Sequence, residues 1–292
     1  MNLFNNSKSH VHLHSGAHCI LMLHGLGAGP LELMRLAKEA HNEGFSVFLP
    51  SIDGYCFGTE PKTWGHWQQE VQEYYRECKR SYETVSVLGV SMGATLALLL
   101  AEKEHPNSIV LLSTALAYDG WAIPWYQFLL GISSWLPFAK RYKFLERDPY
   151  GVKNEETRSV IRRMMTTSHI SESGAEILSY SHISEGMKLI EQVLSDILLV
   201  HSPALFIHAI DDESVHIRNP EFVYQEVKSS VKEFIYLGDS YHMITVDNER
   251  DIVHKESLRF LKKMVNRTME IEVFEIPRIQ SYELRRLMEQ RT

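Results

Sequence analysis

The stretch Val85-Ser86-Val87-Leu88-Gly89-Val90-Ser91-Met92-Gly93-Ala94-Thr95-Leu96-Ala97 decides the fold, because an apolar run of β-formers meets a Gly-x-Ser-x-Gly turn and passes into helix-forming residues. From Ala94 to Glu102 there is neither Gly nor Pro, and Ala and Leu dominate, as a buried helix needs. A serine on a tight strand-to-helix turn has an exposed hydroxyl, and flanking glycines remove Cβ atoms that would collide with neighbouring backbone. The pentapeptide alone also fits an ordinary turn of small residues. The strand before it and the helix after it favour the display of Ser91.

Working outward, Ala17 to Leu23 is a continuous apolar run of the kind expected for a parallel strand buried on both faces. It ends in His24-Gly25-Leu26-Gly27-Ala28-Gly29-Pro30, which lacks both the spacing of a dinucleotide fingerprint and the Lys of a P-loop. Its better use is as an oxyanion hole, with the backbone N–H of Leu26 joining that of Met92. Pro30 to Asn42 reads as a helix stopped at Gly44, and Phe45 to Leu49 as the next strand, with the loop Ser51 to Gly58 at its C-terminal end. Thr63 can cap a helix through Lys79, on which Trp64, Trp67, Val71 and Tyr74 recur at core spacing. After the elbow helix, Ser108 to Leu112 is another apolar strand, so the order so far implies a parallel sheet with right-handed crossovers.

Beyond Ser113 the alternation stops. The aromatic-rich stretch Trp121 to Leu130, followed by Trp135, Leu136 and Phe138, opens an insertion that we read as a helical cap over the active edge. Its aromatics either glue the cap to the body, line an apolar pocket, or touch lipid; Trp121, Trp125 and Phe128 are the candidate pocket residues. Ala204 to Ile210 restores the buried-strand pattern and ends in Asp211-Asp212-Glu213, which fits a solvated loop or a divalent-cation site. A helix from Pro220 to Val227 and a strand from Glu233 to Leu237 follow. The strand opens onto Gly238-Asp239-Ser240-Tyr241-His242-Met243-Ile244-Thr245-Val246-Asp247, before an amphipathic helix from Arg250 to Met264.

The chain of 292 residues is 44% hydrophobic and 23% charged, an ordinary globular balance with length for a sizeable core. Thirty Lys and Arg against 37 Asp and Glu give a formal charge of -7, which argues against a nucleic-acid partner. Cys19, Cys56 and Cys78 form no CxxC pair and are expected as reduced thiols. His10, His12 and His14 alternate along a candidate edge strand and read as its polar face rather than as a metal site. The first eight residues carry no signal-peptide pattern and no apolar run reaches membrane-spanning length, so a cytoplasmic protein is expected.

A serine hydroxyl needs a base, and the base needs an acid that fixes its tautomer. Ser91, Asp212 and His242 supply that set, each just after a predicted parallel strand and hence on one edge of one sheet. In that order, and in His24-Gly25-Leu26-Gly27, Gly89-Val90-Ser91-Met92-Gly93, Ala209 to Val215 and Ser240 to Asp247, the chain resembles the α/β-hydrolase superfamily. More narrowly it is similar to bacterial carboxylesterases and monoacylglycerol-lipase-like enzymes. The resemblance covers roughly residues 17–113 and 195–266. The superfamily's acid motif, aligned on Ala209 and Val215, selects Asp212, with Asp211 as its rival.

The resemblance implies an α/β fold, a mostly parallel central sheet flanked by helices, with a body of residues 1–114 and 196–267 and an inserted helical cap of 115–195. Residues 268–292 form an extension with no functional account, in which Met269 to Ile276 alternates as a strand and Ser281 to Arg291 fits a helix. The implied activity is hydrolysis of carboxylic esters of acyl chains through an acyl-enzyme on Ser91, on a small-molecule substrate such as a monoacylglycerol or lysophospholipid, with no cofactor or metal. A peripheral lipid contact through the cap is the alternative use of its aromatics. A thioesterase or acyltransferase would share the same machinery, and a non-catalytic ligand receptor would share the fold. A peptidase has no separate peptide-gripping feature in its favour.

Overall fold

Ile20, Leu21, Met22 and Leu23 are all buried, as a strand covered on both faces requires. The computed structural model describes residues 10–56, 59–122, 143–145, 148–168, 170–171, 174–175, 177–266 and 278–279. In chain order the strands are β1 (Val11–Leu13), β2 (His18–Leu23), β3 (Ser46–Leu49), β4 (Thr84–Val90), β5 (Ile109–Leu112), β6 (Lys143–Leu145), β7 (Ile170–Ser171), β8 (Gly174–Ala175), β9 (Ile177–Ser179), β10 (Ala204–Ala209), β11 (Lys232–Leu237) and β12 (Arg278–Ile279). The helices are α1 (Met34–Asn42), α2 (Trp64–Ser81), α3 (Met92–Lys103), α4 (Glu155–Ser168), α5 (Tyr180–Asp196), α6 (Arg218–Glu226) and α7 (Arg250–Val265).

The main sheet runs β1-β3-β2-β4-β5-β10-β11-β12, and every pairing is parallel except that of β1 with β3. Side chains alternate across it with period two. Leu21 and Leu23 face a core shared with Trp67, Val71, Tyr75, Leu96, Leu99, Leu189 and Val193, whereas Ile20 and Met22 face one shared with Leu36, Val47, Phe260 and Leu261. Thus α2, α3, α5 and α6 cover one face, and α1 and α7 the other. Each fully buried aliphatic side chain contributes about 1.5–3 kcal/mol of transfer free energy, so the layers hold together by burial on both faces.

Trp67, Val71 and Tyr74 lie in this core, and Thr63 Oγ1 accepts the His66 N–H at 3.4 Å to cap α2. Pro30 does not open one continuous helix: residues Pro30–Leu33 form a 3-10 turn, with Glu32 N–H on Gly29 O, before α1 begins. The His-bearing strand is the antiparallel edge strand β1; the Tyr82 hydroxyl takes His12 Nε2 at 2.6 Å and His14 Nδ1 at 3.0 Å.

Between β5 and β10 the chain leaves the sheet, and its described parts include α4, α5 and two short antiparallel pairs, β6 with β9 and β7 with β8. Helix α5 sends Leu189, Ile190 and Val193 into the core against α3. Trp125 and Phe128 lie outside the described residues, as do Met269 to Ile276 and Ser281 to Arg291. Among the described residues no helix is long and apolar enough to cross a membrane. Because β2, β4, β10 and β11 are parallel, the loops at their C-terminal ends share one edge, where open α/β sheets place ligands.

Candidate active site

Ser91 occupies the turn between β4 and α3 at φ 55° and ψ -120°, a region that side chains other than glycine rarely enter. Close packing enforces this turn. A Cβ on Gly93 would stand 2.2 Å from the Leu23 carbonyl oxygen, and one on Gly89 would stand 2.2 Å from that of Gly93. The Ser91 N–H donates to Leu112 O at 2.8 Å, tying the turn to β5.

His242, beyond β11, reaches Ser91 from the same edge: its Nε2 is 2.8 Å from Ser91 Oγ and its Nδ1 is 2.7 Å from Asp212 Oδ2. Asp212 is buried after β10. Its Oδ1 accepts the N–H groups of Ser214 at 2.9 Å and Val215 at 2.8 Å. Asp211 does not reach this line; it is exposed and pairs with Lys153 at 3.2 Å. The geometry therefore brings together Ser91, His242 and Asp212 and leaves Asp211 outside the line.

Burial works against charge on both partners, but each is offset by the other. Burial disfavours the His242 imidazolium, yet the Asp212 carboxylate, with smaller help from Glu213 and Glu32, raises its pKa to about 9. Asp212 is held below the ordinary carboxylate range, because the charge and hydrogen bond of His242, then His208 and the Val215 N–H, outweigh its desolvation. An imidazole set between a hydroxyl and a carboxylate can take a proton from the one while the other fixes its tautomer.

Four residues that sequence reasoning missed hold this line in place. His208 Nε2 lies 3.3 Å from Asp212 Oδ2 and 2.9 Å from Val215 O, and burial lowers its pKa, so a neutral N–H faces both acceptors. The buried Glu213 accepts the His242 N–H at 3.0 Å and the Ser214 hydroxyl at 2.7 Å. Ser113 Oγ donates to His242 O at 2.7 Å. Asp247 is fully buried and accepts four N–H groups, from Lys153, Asn154, Tyr241 and Asn248, at 2.8 to 2.9 Å. It thereby clamps the inserted segment to the histidine loop. A Glu or Asp beside a catalytic motif gives no signal of such long-range bonds in one sequence.

The divalent-cation reading of Asp211-Asp212-Glu213 does not fit, because Asp212 and Glu213 spend their oxygens on protein donors and Asp211 faces the Lys153 ammonium. A second group, Asp53, His66 and Glu70, brings ligand atoms within 4.8 Å, but the Lys62 ammonium already sits on Asp53 and 3.2 Å from His66 Nε2. The Leu26 and Met92 N–H groups have no acceptor among the described residues. Leu26 follows β2, and Met92 is the first residue of α3, where the helix dipole favours negative charge. Trp121 is 63% exposed; its indole N–H donates to Asp211 O at 3.1 Å and its ring meets that of Tyr241 at 5.7 Å, on the rim of the site.

Residues 15–251 match the family described as serine aminopeptidase, S33. A carboxylesterase of Bacillus subtilis (strain 168) is 24% identical over 255 residues, which cover 85% of this chain and 94% of that protein. A thermostable monoacylglycerol lipase of Bacillus sp. (strain H-257) is 27% identical over 249 residues, covering 84% and 90%. In structure, the monoacylglycerol lipase of Paleococcus ferrophilus superposes with a TM-score of 0.73 at 15% identity, over 87% of this chain and 98% of that one. The family match begins before β2 and ends in α7, so it takes in every loop of the site, and the chain belongs to the serine aminopeptidase S33 family of α/β hydrolases.

Proposed function

We propose that this α/β hydrolase is a serine ester hydrolase that cleaves carboxylic esters of acyl chains, of the carboxylesterase or monoacylglycerol-lipase type, with Ser91 as nucleophile, His242 as base and Asp212 as acid. The observation that carries this reading is the unbroken line Ser91 Oγ, His242, Asp212 at 2.8 and 2.7 Å. Support for the ester class comes from the carboxylesterase and monoacylglycerol lipase that resemble the chain over most of its length.

In the first half-reaction Ser91 Oγ attacks the acyl carbon as His242 Nε2 takes its proton. The carbonyl oxygen becomes an oxyanion held by the Leu26 and Met92 N–H groups. Collapse breaks the ester bond, and His242 returns the proton to the leaving alcohol. Water then adds to the acyl-enzyme by the same base and releases the acid and Ser91. Trp121, over the acid and histidine loops, forms one wall of the approach.

The test is labelling with a fluorophosphonate, followed by p-nitrophenyl esters of increasing chain length, an acyl thioester and an amino-acid p-nitroanilide. The label is expected on the peptide that carries Ser91, with ester turnover exceeding that of thioester and anilide. A folded protein that takes no label and turns over no ester would move the assignment to a ligand receptor. A faster anilide would favour the peptidase suggested by the family's description.

The base must be neutral to accept a proton, and His242 is held protonated up to about 9. Hence kcat/KM is expected to rise roughly tenfold per pH unit through neutrality and to level off only above the His242 pKa. A pH profile that is flat from pH 7 upward, corrected for spontaneous hydrolysis, would contradict that electrostatic account.

A further inference from the structure

We propose that Glu32 is a positioning residue for the oxyanion turn: its carboxyl holds the Gly25 N–H and so keeps the next amide, that of Leu26, set for the developing oxyanion. The inference rests on the ester-hydrolase reading above and assigns a role to a residue outside its proton relay.

Glu32 is buried in the 3-10 turn after the His24 to Gly29 loop, and its Oε2 accepts the Gly25 N–H at 2.7 Å. Gly25 adjoins both this carboxyl and the serine: a Cβ built on it would be 3.4 Å from Glu32 Oε1 and 3.8 Å from Ser91 Cβ.

The rest of the turn is tied as well. His24 Nδ1 bonds Gly25 O at 2.8 Å, Ala28 N–H donates to that same oxygen at 3.1 Å, Gly27 N–H donates to Tyr55 O at 3.0 Å, and Tyr55 Oη donates to His24 O at 3.1 Å. Burial holds His24 neutral, its pKa lowered to about 4, so Nδ1 carries the proton and Nε2 accepts from Cys56 Sγ at 3.3 Å. Leu26 N–H, with no acceptor among the described residues, thus stands between the Gly25 and Gly27 amides, both of which are pinned. Releasing Gly25 frees the φ and ψ angles that aim it.

A buried carboxyl is a costly choice unless its acceptor oxygen is needed. Desolvation raises Glu32 to about 7, against the smaller pull of the Gly25 N–H and of His242. Protonated or ionised, one oxygen remains to accept the Gly25 N–H. Acceptance is therefore the role, and a carboxamide serves it as well.

The experiment compares Glu32→Gln, Glu32→Met and Glu32→Ala with the wild type on a short p-nitrophenyl ester, with kcat counted per active site titrated by fluorophosphonate, so that misfolded molecules drop out. Met and Ala are expected to lower kcat roughly 10- to 100-fold with KM within about threefold, since a misaimed donor fails only when charge develops. Binding of a trifluoromethyl ketone, whose adduct oxygen takes the oxyanion's place, should weaken by a similar factor. Gln should restore kcat to within about threefold. The proposal is overturned if Met and Ala stay within twofold of wild type, or if Gln falls as far as they do. Failure of the underlying reading looks different: the wild type itself would take no label.

Discussion

Replacing Ser91 by alanine is expected to lower kcat/KM for a p-nitrophenyl ester by about 10⁴- to 10⁶-fold and to abolish fluorophosphonate labelling, while the fold persists. The side chain makes one described hydrogen bond of consequence, to His242 Nε2, and otherwise packs at a turn fixed by its glycine neighbours and by Ser91 N–H on Leu112 O. Alanine meets the same backbone constraint at φ 55° as serine does, so the substitution adds little strain of its own. A thermal melt within a few degrees of wild type would certify the comparison. On the proposed mechanism, the residual rate would be what the Leu26 and Met92 amides give to water attack without a nucleophile. Loss of less than about tenfold in a preparation free of contaminating esterase would remove Ser91 from the chemistry.

Much of this site is legible in the chain because its chemistry hangs on local patterns. An apolar strand running into Gly89 to Gly93 can be read without a structure, since a tight turn needs glycines where backbone approaches to within van der Waals contact. The C-terminal ends of parallel strands share an edge by topology, so three strand ends carrying Ser91, Asp212 and His242 are brought together by the sheet order alone. Asp212 and Asp211 were harder to separate, because adjacent carboxylates differ only in which one the loop turns inward. The supporting residues were not legible. Ser113 meets a carbonyl 129 residues away, Glu213 an amide 29 away and Asp247 the Lys153 amide 94 away. Neither hydrophobic period nor turn chemistry encodes such pairings. Glu32 shows the same limit in miniature: in sequence it is an acidic residue in the first turn of a surface helix, where a carboxylate suits the helix dipole. Its burial beneath the Gly25 amide becomes visible only when the loop folds back.

Asparagine at position 212 is expected to cost about 10⁴-fold in kcat, whereas asparagine at 211 stays within about threefold. The difference follows from which atoms face Asp212. Two backbone N–H groups, from Ser214 and Val215, claim Oδ1, so an asparagine there keeps its carbonyl oxygen on that side and turns its NH₂ toward His242 and His208. An NH₂ opposite Nδ1 forces His242 into the tautomer that carries its proton on Nε2. That nitrogen can then only donate to Ser91 Oγ and cannot take its proton. The NH₂ also opposes the Nε2–H of His208, so the loop loses a second favourable contact, and some stability should be lost with the rate. Asp211 makes no contact of this kind: its carboxylate is more than half exposed on Lys153, and Trp121 bonds its backbone oxygen, which the substitution leaves alone. Kinetics of the two variants on one ester, each counted per labelled site, decide between adjacent carboxylates. A large loss at 211 with little at 212 would mean that the loop turns the other residue inward when substrate binds.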